Sequence, residues 1–159
     1  MNVLAINTAS SFTAIALLEE ADGQIKIVSE ESWTSKNDEA EKLMPAISQL
    51  LTEQNLSFTD LGKIVVVRGP GSFTGLRIGV SVANTLAYLL KVELLSITTF
   101  DFWHQVTDLP ILVFAGKGGV YFSEKDDSKG ELINLTDLDK VLKQRNINTY
   151  FGDISPEQK

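Results

Sequence analysis

Two turns in this chain carry residue types that can hold a phosphate. The first is Asn7-Thr8-Ala9-Ser10-Ser11, at the end of the apolar run 3–7. The hydroxyls of Thr8, Ser10 and Ser11 can donate hydrogen bonds to an anion, which makes Asn7, Thr8 and Ser10 a candidate phosphate turn. The second is Arg68-Gly69-Pro70-Gly71-Ser72-Phe73-Thr74-Gly75, with Arg77 just beyond it. A glycine-rich loop at a helix N-terminus offers free N–H groups to a phosphate. This loop lacks the lysine and spacing of a Walker loop, and it does not match G-x-G-x-x-G. The competing reading is a rigid turn that packs a strand against a helix, and the chemistry of the residues favours it. Gly69, Gly71 and Gly75 permit close approaches, Pro70 fixes its own φ, and Ser72 or Thr74 can cap a following helix. Asn7 is uncharged and does not match a carboxylate as a magnesium ligand. The first turn therefore reads foremost as hydroxyls satisfying their own backbone.

The elements around these turns follow from periodicity. The β-branched run before Arg68 is a buried strand, and the apolar segment 76–90 is a helix, as in a parallel α/β unit. Upstream, strands are expected at 3–7, 12–18 and 26–31, with Asp22-Gly23 as a hairpin turn. Asp38-x-x-Glu41 reads as a capping box opening a helix over 39–54. Leu43, Met44, Ile47, Leu50 and Leu51 form one apolar stripe of that helix. Pro45 has no N–H for the Glu41 carbonyl, which predicts a kink or a late helix start. The second helix, 74–90, is apolar on most of its circumference, so cover is required on more than one side. Gly79, Ala83 and Ala87 would admit a close neighbour. A last strand over 92–97 is followed by a short helix capped by Thr98 or Thr99. Beyond it, strands at 110–114 and 120–123 flank the turn Ala115–Gly119. An edge strand is expected at 131–135, a helix opening at Thr136-x-x-Asp139, and a final strand at 148–151.

The composition removes several classes of function. The chain has 159 residues, enough for one good core or two small lobes, and a net charge of −7. An acidic balance without a basic cluster argues against an autonomous grip on nucleic acid. With no cysteine and one histidine, disulfides, thiolate metal sites and paired-histidine metal chemistry are excluded. That histidine, His104, sits among Phe100, Phe102 and Trp103 and reads as a packed or surface imidazole rather than a catalytic one. The start of the chain reads as a strand rather than a signal peptide. The run 76–90 is short for a membrane span and contains Arg77, Ser81 and Asn84. A cytoplasmic protein with no metal, no cofactor and no membrane contact is expected.

The motif Arg68-Gly69-Pro70-Gly71-Ser72-Phe73-Thr74-Gly75-Leu76-Arg77-Ile78-Gly79 resembles the signature of the TsaB (YeaZ) family, bacterial proteins of tRNA threonylcarbamoyladenosine biosynthesis. Leu4–Ala9, Leu43-Met44-Pro45, Thr59-Asp60-Leu61 and Ser96–Phe100 extend the likeness through residues 1–100. The resemblance implies an α/β ASKHA (actin-like ATPase, RNase H-like) fold. Residues 1–100 would form a complete first lobe, and 101–159 a shortened second one. It also implies a non-catalytic partner of TsaD, which modifies the adenosine beside the anticodon, with a TsaE-like ATPase in the same complex. The chain would pair with itself when TsaD is absent and would meet tRNA only indirectly.

Family members use the two helices as a partner surface, here assigned to Leu43, Met44, Ile47, Leu51, Val80, Ala83, Asn84 and Ala87. Arg68 and Arg77 are expected to pin the loop through hydrogen bonds to carbonyls or a carboxylate. Two departures from the family pattern stand out. Glu39 falls where a histidine is usual, two positions after Asn37. Phe114-Ala115-Gly116 replaces an Asp-Ala-Arg, leaving Lys117 as the cation of that turn. Alternative readings are a small ASKHA-type nucleotide-binding enzyme or kinase, and a glycoprotease-like protein of other function.

Overall fold

The computed structural model describes residues 1–35, 38–116 and 118–153, so Asn37, Lys117 and the terminal 155–159 stretch lie outside the described residues. The chain begins with a meander: β1 (Asn2–Asn7), β2 (Phe12–Ala21) and β3 (Gln24–Thr34). Asp22 and Gly23 both take positive φ, 52° and 72°, the backbone twist a two-residue hairpin requires. After α1 (Glu39–Glu53), β4 (Leu61–Val67) enters parallel to β1. Then α2 (Phe73–Leu90) crosses over to β5 (Glu93–Ile97), also parallel to β4. The resulting sheet has the order β3-β2-β1-β4-β5. The short α3 (Thr99–Trp103) leads to a second sheet of order β8-β7-β6-β9. Its strands are β6 (Ile111–Gly116), β7 (Gly119–Ser123), β8 (Glu131–Asn134) and β9 (Phe151–Asp153), with α4 (Leu135–Gln144) packed on it. This is the α/β ASKHA architecture.

The main core lies between α1, α2 and one face of the first sheet. Leu4, Ile6, Ile15, Leu17, Ile64 and Val66 alternate onto that face and meet Leu43, Ile47, Leu51, Ala83 and Ala87 from the helices. Each large side chain buried here contributes about 1.5–3 kcal/mol.

Several local expectations are corrected. Asp38 precedes α1 but makes no capping bond; its carboxylate pairs with Lys42 at 2.6 Å. Pro45 sits inside α1, which starts at Glu39 and not late. The residue before α4 is Asn134, and the helix runs from Leu135, ahead of the Thr136 start inferred from spacing. The last strand is 151–153, later than 148–151, because it pairs beside β6 from Ile111 to Val113.

The second helix is also less enclosed than its composition suggests. Only Gly75, Gly79, Ala83, Leu86 and Ala87 of α2 are buried. With 18 residues and a mean hydropathy of 1.2, α2 also meets the length and composition criterion for a membrane span, which the run 76–90 alone did not. Its glycine–alanine side nevertheless packs as a core helix laid on a sheet.

Candidate functional site

The glycine-rich loop is held by backbone groups from three directions. Arg68 N–H donates to the Ile97 carbonyl at 2.9 Å, which joins the end of β4 to the end of β5. Thr99 donates twice, from N–H to the Gly69 carbonyl at 2.9 Å and from Oγ1 to the Pro70 carbonyl at 2.5 Å. Ser72 N–H donates to the Ala9 carbonyl at 2.7 Å, fastening the loop to the turn after β1. The Gly69–Pro70 peptide is cis, and Gly69 itself has φ +102°, open to glycine. Ser72 is the cap of α2: its Oγ accepts from Gly75 N–H at 3.2 Å.

The loop and helix then close on the first turn. A Cβ at Gly71 would stand 2.0 Å from the Ala9 carbonyl oxygen, and one at Gly79 2.2 Å from Thr8 Oγ1. Thr8 is consequently 0% exposed, and its hydroxyl has no hydrogen-bond partner among the described residues. Asn7 Oδ1 accepts from Ala9 N–H at 3.0 Å, and Ser10 Oγ both accepts from Phe12 N–H and donates to its carbonyl. The phosphate turn proposed from Asn7, Thr8 and Ser10 is therefore corrected for Thr8, which faces the helix. Asn7 and Ser10 hold the turn's own backbone. Among the described residues no group of three or more histidines and carboxylates could hold a metal ion.

The two arginines do not pin the loop as expected. Arg77 is exposed, with its guanidinium 5.6 Å from the centroid of the Phe73 ring. Arg68 is exposed too, and among the described residues neither side chain hydrogen-bonds a loop carbonyl. Irregular backbone here is pinned by Thr99 and Ser72, residues that spacing marked only as helix caps.

Asp101, three residues past Thr98, completes a capping box on α3 and accepts from Ser128 Oγ at 2.5 Å. The Ser128 bond, then those from Thr98, then the nearby Arg68 charge hold its carboxyl below the usual carboxylate range. This chain of contacts runs from the loop through α3 to the turn between β7 and β8. His104 extends it, with Nε2 3.2 Å from the buried Ser123 Oγ, whose hydroxyl donates to the Asp127 carbonyl. That is a packed imidazole tying α3 to β7.

The proposed partner surface divides in two. Leu43, Ile47, Leu51, Ala83 and Ala87 are buried in the chain's own core and cannot meet a partner, because the sheet already uses the stripe that periodicity detects. Met44, Val80 and Asn84 remain accessible. Sequence reasoning missed Tyr88, 83% exposed, and passed over Phe73, 74% exposed, as an interface residue. Phe73, Arg77, Asn84 and Tyr88 recur at i, i+4, i+11 and i+15, the side of α2 opposite its glycine–alanine seam. That spacing was available in the sequence but was masked by the greater hydrophobicity of the buried side. Glu39 was noted only as a departure from the family; it is 4% exposed, with Oε2 unpartnered among the described residues.

The fold agrees with comparisons to known proteins. The model of the family described as TsaD, tRNA N6-adenosine threonylcarbamoyltransferase, matches residues 27–147. The tRNA threonylcarbamoyladenosine biosynthesis protein TsaB of Bacillus subtilis is 38% identical over 101 residues, covering 64% of this chain and 42% of that protein. TsaB of Escherichia coli is 27% identical over 164 residues, covering 99% of this chain and 69% of that protein. In structure, YeaZ from Pseudomonas aeruginosa superposes with a TM-score of 0.62 at 22% identity, covering 84% of this chain and 64% of that one. The chain thus spans between 42% and 69% of the length of these relatives. It belongs to the tRNA threonylcarbamoyltransferase (TsaD) family, on the TsaB (YeaZ) side of it.

Proposed function

We propose that the chain is a non-catalytic partner subunit of a TsaD-like protein in tRNA threonylcarbamoyladenosine modification. Its role as a component of that biosynthesis is the role named for its relatives. The observation that carries the finer reading is the closed contact between the glycine-rich loop and the turn after β1. Where an ATPase of this fold needs a carboxylate and room for phosphate, this chain has Asn7 and a fully buried Thr8. What the loop does instead is fix the entry of α2 and so present its outer side. Met44 on α1 with Phe73, Arg77, Asn84 and Tyr88 on α2 would meet the catalytic subunit, or a second copy when that subunit is absent. A TsaE-like ATPase would act in the same complex, and tRNA would be held by the partners, given this chain's acidity. The work belongs in the cytoplasm, where tRNA is modified.

The test is co-purification with the TsaD-like protein of the same cell, followed by assay of modified tRNA. Restoration of the modification by the pair, with no ATP hydrolysis by this chain alone, supports the reading. Magnesium-dependent ATP hydrolysis that persists through purification and vanishes in Asn7→Ala would overturn it in favour of a small kinase-like enzyme.

A further inference from the structure

We infer that α3 is a positioning strut, through which the turn between β7 and β8 sets the glycine-rich loop and the entry of α2. Three consecutive residues of α3 each grip a different segment. Successive helical residues can do so because they point about 100° apart. Thr99 holds the loop, donating to the Gly69 and Pro70 carbonyls. Phe100 is 0% exposed and packs with Ile111 and Val113 of the second sheet. Its ring also closes on Gly130, where a Cβ would stand 2.3 Å from Phe100 Cε2. Asp101 accepts from Ser128 Oγ at 2.5 Å.

The path between the two sheets has a hydrogen bond at each joint. At the far end the turn is held in its own right. Asp127 Oδ1 accepts from the Lys129 and Gly130 N–H groups at 3.0 and 3.1 Å, and the Asp127 carbonyl accepts from Ser123 Oγ at 2.6 Å. Within α3 the capping box runs both ways. Asp101 N–H donates to Thr98 Oγ1 at 2.9 Å, and Thr98 N–H donates to Asp101 Oδ2 at 3.4 Å. Asp101 thus divides its carboxylate, Oδ2 fixing the start of α3 and Oδ1 the turn. At the near end Ser72 N–H carries the constraint on to the Ala9 carbonyl, and Ser72 Oγ caps α2. Members of one hydrogen-bond network couple energetically, so releasing Ser128 loosens Asp101, then Thr99, then the loop. Resting on the reading above that the outer side of α2 meets a partner, Asp101 and Ser128 are positioning residues for that interface without belonging to it.

The experiment is native-state amide exchange of the full chain at neutral pH, read residue by residue. Ser128→Ala is expected to lower protection about tenfold at Thr99 and Ser72 while the amides of β2 hold. Ser128→Thr, which keeps the hydroxyl, should restore it. In the reverse direction, Thr99→Val should lower protection at Lys129 and Gly130, since coupling is reciprocal. A loss in Ser128→Ala confined to residues 127–130 would overturn the strut, because Ser128 then serves only its own turn. An equal loss across β2 would overturn it too, because the whole fold is then weaker. Pull-down with the TsaD-like protein separates this claim from the reading it rests on. Tyr88→Glu probes the interface directly: if it binds as the parent does, the outer side of α2 is not the contact, and exchange alone decides the strut. If Tyr88→Glu loses the partner, Ser128→Ala should bind it several-fold more weakly than the parent. Full binding by Ser128→Ala in that case would overturn the positioning role.

Discussion

The Thr8 carbonyl oxygen lies 2.2 Å from where a Cβ on Gly75 would stand, so the turn after β1 and the first turn of α2 meet backbone to backbone. No side chain separates the two segments. The contact explains why glycines recur through the motif at 71, 75 and 79: each faces Thr8 or Ala9.

Gly75→Ala is therefore expected to destabilise the chain by about 1–3 kcal/mol, the usual cost of overpacking against atoms that cannot rotate away. Gly79→Ala should cost less, since the obstructing atom is a side-chain hydroxyl. Gly62, whose added Cβ would crowd the flexible Met1 side chain and meet no backbone atom closer than 3.8 Å, serves as the control. Urea midpoints of the three variants rank them, and a Gly75→Ala midpoint matching that of Gly62→Ala would mean the two segments separate in solution.

Thr8→Val replaces a buried hydroxyl that has no partner among the described residues with a methyl of the same shape. An unsatisfied buried hydroxyl costs about 1–3 kcal/mol, so this variant should be as stable as the parent or more so by about 1 kcal/mol. Support of tRNA modification should be unchanged. A loss of modification with intact stability would place the hydroxyl in ligand binding.

Most of the first sheet and its helices is legible in the sequence because each signal there is local. Asp22-Gly23 dictates its own turn, and the 61–67 run and the α2 pattern differ in period. What the sequence concealed depends on contacts between distant segments. Thr8 reads as a turn hydroxyl until Gly79 is brought over it. Leu43 and Ile47 read equally well as core or as interface, since periodicity reports one apolar side without saying what covers it. The bonds from Thr99 to the 69–70 carbonyls carry no mark beyond a helix-cap residue. Asp101 is similar: its partner Ser128 lies 27 residues on, in a turn of the other sheet.

That pair makes a pH-dependent prediction. Asp101 titrates below the ordinary carboxylate value of about 4, chiefly through Ser128. A depressed folded value means the contribution is complete above the unfolded value and is lost as pH falls through the folded one. Ser128→Ala should accordingly lower the urea midpoint at pH 7 and lower it less at pH 3. An equal deficit at both values would show that Ser128 stabilises its own turn and not the Asp101 carboxylate.

The last prediction separates interface from core along the two helices. Ile47 is 0% exposed, so Ile47→Glu places a charge in the core. An unpaired buried carboxylate costs several kcal/mol, roughly the whole stability of a small lobe, so this variant should be unfolded by circular dichroism. Tyr88→Glu and Phe73→Glu alter side chains that are 83% and 74% exposed and should leave the melting temperature within a few degrees of the parent. Aromatic anchors of this size commonly cost about 2 kcal/mol or more of binding when lost, so each should weaken the complex with a TsaD-like subunit at least tenfold. Met44→Glu, on the neighbouring α1, should be intermediate. The measurements are sizing with light scattering for the chain alone and pull-down for the pair. Should Tyr88→Glu and Phe73→Glu both bind the catalytic subunit as the parent does, the outer side of α2 is not the contact, and the partner must sit elsewhere on the fold.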